Sequence, residues 1–255
     1  MRKFRLGSTS YVYPADLVTN ARQLAGVVED IELVLFETAN HETNFPARAQ
    51  VQELKQIANE NGLTYTVHLP TDLKFGDAVS YDKIRRALAS VEILEPFAYV
   101  THLDGKNFLS DTAPASIARW QQEAERALLE LCAWVGDTSR VCVENVEGWS
   151  PDYFAGILAE TNIKRCVDVG HFWVQSRDPL PHLTENLYRT RVIHLHGVNG
   201  RDHASLKFVA DAQLFPIVRA LLEQNYDGVV TLEVFGEDDF FSSRAALLRA
   251  VEMID

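Results

Sequence analysis

Short β-branched or aromatic runs alternate along the chain with longer segments in which apolar residues recur every three or four positions. This is the pattern of parallel strands joined by crossover helices. It predicts strands at 4–10, 31–37, 64–69, 98–103, 140–145, 165–168, 191–196 and 229–234. Between them it predicts helices at 15–27, 46–61, 79–95, 114–135, 151–161, 180–190, 211–225 and 239–254. Pro46, Pro114 and Pro151 stand where first helical turns begin, and Ser150 precedes Pro151 as an N-cap.

Eight repeats are what closes a (β/α)8 TIM barrel, and 255 residues is a typical length for one. No Pro/Gly/Ser-rich linker or charge block divides the chain, so residues 1–255 are expected to form a single domain. An open doubly wound sheet would call for a glycine-rich first turn, which GSTSYVYP does not supply.

Barrel enzymes carry their chemistry at the C-terminal ends of the strands. Here YTVHLP ends in His68, YVTHLDG in His102, VCVENVEG in Glu144, and CVDVGHF in Asp168 and His171. VIHLHGVNGRDH supplies His194, His196 and His203, and VTLEVFG supplies Glu233. The strand period of two puts Thr66 with His68, Cys142 with Glu144, Cys166 with Asp168, and Thr231 with Glu233 on common faces. His194 and His196 also share a face, so either of them can be the inward ligand.

A single strand histidine is most simply a hydrogen-bonded core residue. A set of imidazoles and carboxylates buried together needs compensating cations, and basic residues near these strand ends are few, Lys106 and Arg201 being the exceptions. Divalent metal is the expected compensation. Imidazole and carboxylate donors without thiolate suit zinc or manganese, with iron a further candidate, better than magnesium. Such ions activate water and stabilise charge on a phosphoryl oxygen, so hydrolysis is the expected chemistry.

Composition narrows the partners. The chain is 47% apolar and 24% charged, as a globular protein is. Its 36 acidic and 24 basic residues leave a net charge of -12, which repels polyanions, so a small-molecule substrate is expected and nucleic acid is not. No apolar run approaches a membrane span, and Cys132, Cys142 and Cys166 read as reduced core thiols, so a cytoplasmic protein is expected.

The order His, His, Glu, Asp-x-x-His, His, His, Glu over strands three to eight resembles the apurinic endonuclease and xylose-isomerase-like barrel superfamily. The resemblance spans essentially the whole chain. Its hydrolase branch implies two or three ions: one on His68, His102 and Glu144; a second on Glu144, Asp168, His194 and Glu233; a third on His171 and His203. Glu144, Glu233 and Arg201 would then act in catalysis. One position departs from that pattern, which has Asp two residues before the last His. Arg201 stands there, with Asp202 beside His203, so either Asp202 completes the third site or Arg201 binds substrate phosphate instead.

The sugar isomerase and epimerase branch implies a single ion on the Glu, Asp, His and Glu of the last four strands, and needs neither His68 nor His102 as a ligand, leaving the pair to hydrogen-bond substrate hydroxyls. The opening GSTSYVYPADLVTNARQLAGVVEDIELVLFE together with GRDHASL resembles, more narrowly, the cobamide-remodelling phosphodiesterases. That likeness implies cleavage of the nucleotide loop of a cobamide. A barrel that binds ligand without turnover is a third reading, which the intact ligand set disfavours.

Other residues carry weaker signals. Glu37 can orient a ligand histidine or simply contact solvent at the end of its strand. Tyr11, Tyr13, Trp149, Trp173 and Phe235 lie in expected strand-to-helix loops, where they can stack on a flat ligand or simply pack. Tyr11, Lys106, Trp173, His196 and Arg201 are the substrate-binding candidates, Lys106 and Arg201 as phosphate partners. His41 has no partner spacing, and His182 is expected on a helix surface.

Overall fold

The structure is a computed structural model and describes residues 2–70, 76–103, 113–148 and 150–254. Eight strands form a closed, all-parallel barrel in chain order: β1 Arg5–Thr9, β2 Asp30–Val34, β3 Thr64–His68, β4 Ala98–Thr101, β5 Val141–Glu144, β6 Lys164–Asp168, β7 Thr190–Leu195 and β8 Val229–Leu232. β1 pairs with β8 to close the ring, so no sheet edge is left open.

The outer shell is helical. α1 is Leu17–Leu24, α2 Arg48–Asn61, α3 Ala78–Val91, α4 Pro114–Val135 and α5 Ala155–Ala159. α6 is Val169–Val174, α7 Leu180–Asn186, α8 Asp211–Glu223 and α9 Glu237–Ile254. Their boundaries follow local chemistry. Asp16 caps α1 by accepting from the Thr19 amide, Pro114 occupies the first turn of α4, and Gly62 and Gly136 end α2 and α4 in the left-handed conformation.

Two stretches differ from expectation. The segment after Ser150 begins as a 3-10 turn, Pro151–Phe154, and only then becomes the short α5, where Gly156 lowers helix propensity. The loop expected after strand six is a helix, α6, capped directly by Asp168. One and a half turns are too few for a helical period to show in the sequence.

The core has two compartments. Strand residues such as Leu33, Val67, Val143 and Leu232 pack outward against the helices. Inside the barrel, Ala98, Val100, Cys142, Cys166 and Val192 fill one side with small apolar groups, and all three cysteines are buried and unpaired. The other side is polar: Glu32, Thr66 and Thr231 are fully buried. Beneath them the N-terminal end is closed by Phe97, over whose ring Arg191 and Arg5 stack at 3.9 and 4.5 Å. Among the described residues, no helix is long and apolar enough to cross a membrane.

Candidate metal centre

The histidines and carboxylates read from the strand ends converge at the C-terminal mouth. His68 Nε2 and His102 Nε2 lie 3.1 and 3.0 Å from the same Glu144 oxygen, Oε2. The other oxygen, Oε1, is 3.3 Å from His194 Nδ1, and that nitrogen is 3.2 Å from Glu233 Oε2 and 3.8 Å from Asp168 Oδ2. His171, His196, Asp202 and His203 form a neighbouring group. Among the described residues four overlapping donor groups result, three of which share Glu144, and one of those three sets Cys166 Sγ beside Glu144 and His194.

Local structure sets these positions. Asn145 receives the Asp168 amide at 3.0 Å and donates to its carbonyl at 2.9 Å, tying the end of β5 to that of β6. Asp168 in turn accepts from the His171 amide at 2.7 Å, which starts α6 and sets His171 over the mouth. After β7 the chain doubles back: Gly197 and Ala204 exchange backbone hydrogen bonds of 2.7 and 3.0 Å, and His203 takes a φ of 49°. The turn returns Asp202 and His203 to the strand end.

Five histidines share one arrangement: one ring nitrogen is anchored and the other faces carboxylate. His68 Nδ1 is anchored on the Leu69 carbonyl at 2.9 Å, His171 Nδ1 on Asn145 at 2.9 Å, His196 Nδ1 on Gly197 at 3.2 Å and His203 Nδ1 on Glu233 at 3.1 Å. His194 Nε2 is anchored on the Glu32 carboxylate at 2.9 Å. The anchor holds N–H on its own nitrogen, so the opposite nitrogen, which shares a proton with carboxylate when no metal is bound, is the one that can exchange that proton for a metal ion. This is how metal-ligating histidines are ordinarily held.

Several of the inward atoms lack hydrogen bonds altogether. Asp168 Oδ2, His194 Nδ1, His196 Nε2 and Glu233 Oε2 are buried without a hydrogen-bond partner. Burying such groups unsatisfied costs about 1–3 kcal/mol each. A divalent cation among them removes that cost, and the donors, imidazole and carboxylate with no exposed thiolate, fit zinc, manganese or iron.

Without metal, charge compensation falls to protons. Burial opposes the imidazolium form of His68, His171 and His196, but the Glu144 carboxylate beside the first and Asp168 beside the other two outweigh it, and all three are raised to about 9. Burial likewise opposes ionisation of Glu144 and Asp168. His194 and His102 overcome it at Glu144, and His196 and His171 at Asp168, so both carboxyls stay below the usual range.

The linkage has a definite sign. The raised imidazoles stabilise the metal-free fold fully below their unfolded value of about 6.5, and that contribution is lost as pH rises through about 9. The depressed carboxyls contribute above about pH 4 and lose their effect as pH falls through their folded values. The melting temperature of chelator-treated protein is therefore expected to fall between about pH 6.5 and 9, and zinc uptake near neutrality to release protons. A melting temperature that stays level or rises over that interval would exclude this compensation.

The remaining candidates are placed unevenly. His196 lies in the cluster rather than apart from it: its ring rests so closely on Gly170 that a Cβ added there would collide with it. Both His194 and His196 therefore face the site. Arg201 is exposed at the rim, paired with Asp239 and donating to the His203 carbonyl at 3.1 Å, while Asp202 is the residue that enters the third cluster. Tyr11 stands at the mouth after β1, its hydroxyl accepting from Asn44 at 2.9 Å and its ring 6.3 Å from Phe36. Phe235 stands after β8, its ring 5.2 Å from that of His203. Trp173 packs on the apolar shell and borders a flank groove with Arg177, Pro179 and Pro216. Lys106 and Trp149 lie outside the described residues.

Glu37 corrects one expectation. β2 ends at Val34, so Glu37 leaves the barrel and accepts from Arg86 Nη1 and Nη2 at 2.5 and 3.1 Å. Its neighbour His41 is exposed, 3.5 Å away. The carboxylate that meets a clustered histidine is Glu32, for which a charge inside the apolar run DIELVLF is the signal in the sequence. Glu147 also stands outside the strand-end pattern; its Oε1 lies 3.4 Å from His171 Nε2. His182 is half-buried on α7 with its ring 5.2 Å from Phe172.

A parallel eight-stranded barrel with histidine and carboxylate clusters across its C-terminal mouth defines a class of barrel whose mouth can hold divalent metal. The chain belongs to the xylose isomerase-like TIM barrel family, whose model matches residues 25–255. No curated protein matches it by sequence. Among solved structures, it is similar to a D-tagatose 3-epimerase-like protein at 18% identity and a TM-score of 0.77, covering 98% of each chain. It is also similar to a 3-keto-D-glucoside 4-epimerase from E. coli at 15% identity and a TM-score of 0.68, covering 97% of this chain and 99% of that one. An L-ribulose 3-epimerase is 14% identical with a TM-score of 0.71, covering 98% and 95%. At these identities the likeness is one of fold.

Proposed function

We propose that the protein is a metal-dependent phosphodiester hydrolase acting on a small nucleotide-like ester, with the nucleotide loop of a cobamide as its substrate. The observation that carries this reading is Glu144, one oxygen of which meets His68 and His102 while the other faces His194. A chemistry that needs one ion would use Glu144, Asp168, His194 and Glu233 and would leave His68 and His102 to hydrogen-bond substrate hydroxyls, whereas two ions give both histidines a ligand role beside Glu144. The resemblance of the opening segment and of GRDHASL to cobamide-remodelling phosphodiesterases supports the choice of substrate.

Divalent ions held in these clusters would activate water as a nucleophile and offset charge on the phosphoryl oxygens. The chain's own groups bind and orient. Arg201 offers a rim guanidinium that can exchange Asp239 for a non-bridging phosphate oxygen. Tyr11, Phe36 and Phe235, on the loops that follow β1, β2 and β8, offer aromatic faces to a bulky ester, with Phe36 and Phe235 41% and 43% exposed.

A metal-dependent sugar or sugar-phosphate isomerase or epimerase is the second reading. The complete Glu144, Asp168, His194 and Glu233 set favours it, and the similar solved structures named above, two epimerases and an epimerase-like protein, support it better than they support a hydrolase. Incubation of metal-loaded protein with a complete cobamide, followed by chromatography of the corrinoids, separates the two. Release of cobinamide phosphate and a lower-ligand nucleoside is expected. Intact cobamide together with conversion of a ketose would reject the hydrolase. Arg201→Ala is expected to lower kcat/KM about 10-fold or more at unchanged metal content; unaltered kcat/KM would take Arg201 out of substrate binding.

A further inference from the structure

Four of the five anchored histidines lean on backbone carbonyls, which no side-chain substitution removes. His194 leans on a side chain, Glu32, drawn from a strand three places away around the barrel. Glu32 sits on β2 and His194 on β7, strands that are not neighbours in the ring, so the contact crosses the barrel interior. Both Glu32 oxygens reach His194 Nε2, at 2.9 and 3.1 Å, and both side chains are fully buried, at 1% and 0% exposed.

The surroundings explain why the pair can exist. β2 and β3 place Glu32 opposite Thr66, and β7 and β8 place His194 opposite Thr231. These positions belong to the polar side of the barrel interior, whereas Val100, Cys142, Cys166 and Val192 fill the apolar side. An anionic acceptor beneath the ring demands N–H at Nε2. The lone pair is thereby left on Nδ1, the atom that faces Glu144, Asp168 and Glu233 and has no hydrogen-bond partner.

We infer that Glu32 is the positioning residue of the metal centre, fixing His194 as the Nε2–H tautomer so that Nδ1 is its ligand atom and increasing the donor strength of the ring. The inference rests on the Glu144, Asp168, His194 and Glu233 cluster holding a divalent ion, but not on which reaction follows. Carboxylate-backed imidazoles bind metal more tightly, and loss of such a partner typically costs about 10–100-fold in affinity. Glu32→Gln is the informative variant: it keeps the volume, removes the charge, and lets the amide either accept from Nε2 or donate to it and force the wrong tautomer. Glu32→Ala removes the anchor altogether.

The test is zinc affinity by chelator competition in the full chain, combined with the ring nitrogen shifts of His194 in long-range proton–nitrogen spectra, assigned by comparison with His194→Gln. The wild-type zinc form is expected to show His194 protonated at Nε2, and both Glu32 variants to bind zinc about 10–100-fold more weakly while reaching full occupancy at excess zinc. Melting of the chelated variants separates a folding defect from a metal defect. If either variant cannot be refolded, Glu32→Asp supplies the second comparison, with the shortened carboxylate expected to recover part of the affinity. Zinc affinity unchanged within about twofold, or a wild-type His194 protonated at Nδ1, overturns the positioning role while leaving the metal centre standing. A wild-type chain that takes up no zinc overturns both together.

Discussion

Glu144→Ala is expected to remove more than one divalent ion per chain and to lower phosphodiester turnover by about 10²-fold or more. The geometry makes this carboxylate the joint between two clusters. Its Oε2 lies 3.1 and 3.0 Å from His68 and His102, and its Oε1 lies 3.3 Å from His194 Nδ1. With one oxygen committed to each side, truncation weakens both groups at once, whereas loss of a terminal ligand would weaken one. Elemental analysis of unchelated wild-type and variant protein gives the comparison. A wild-type chain with a single ion, or a variant that loses none, contradicts the shared-carboxylate reading. Glu144→Gln guards against a folding artefact, because it keeps the buried volume while losing the anionic oxygen.

The second large effect is expected at His68 and His102. Their rings meet edge to face with centroids 5.0 Å apart, and both aim Nε2 at one carboxylate oxygen. His68→Ala and His102→Ala should each lower ester hydrolysis by about 10²-fold or more, with the ion on Glu144, Asp168, His194 and Glu233 retained. His102 is the cleaner site, being 22% exposed where His68 is 4% exposed, so its truncation leaves less of a buried void. The measurement pairs metal stoichiometry with steady-state kinetics on the cobamide and on a ketose. Near-normal hydrolysis by both variants would place the two histidines outside the reacting centre. Sugar epimerisation that survives both substitutions would establish the second reading.

The residues changed in both experiments are legible in the amino-acid sequence, and there is a physical reason for that. Side chains alternate along a strand, and parallel strands in a barrel all end at one face, so periodicity alone brings His68, Glu144, Asp168 and Glu233 together. The same logic cannot choose between His194 and His196, which share a face. The structure admits both to the site, one ring backed by Glu32 and the other resting on Gly170.

Loops are less legible. The exchange of Arg201 for Asp202 at the third cluster depends on the turn closed by Gly197 and Ala204 and on the positive φ of His203, neither of which an alternation pattern encodes. Glu37 falls at an expected strand end only because the apolar run extends past Val34. The chain turns outward there, and Arg86 claims the carboxylate.

What the sequence determined by itself was the eightfold repeat and the donor types at the strand ends, because both follow from rules local to a strand or helix. What only the tertiary structure decided was the second partner of each donor. The anchors at Leu69, Asn145, Gly197 and the Glu233 carbonyl, and the cross-barrel contact of Glu32 with His194, depend on barrel register and loop return. Those long-range placements fix which nitrogen of each ring is free, and no spacing along the chain carries that information.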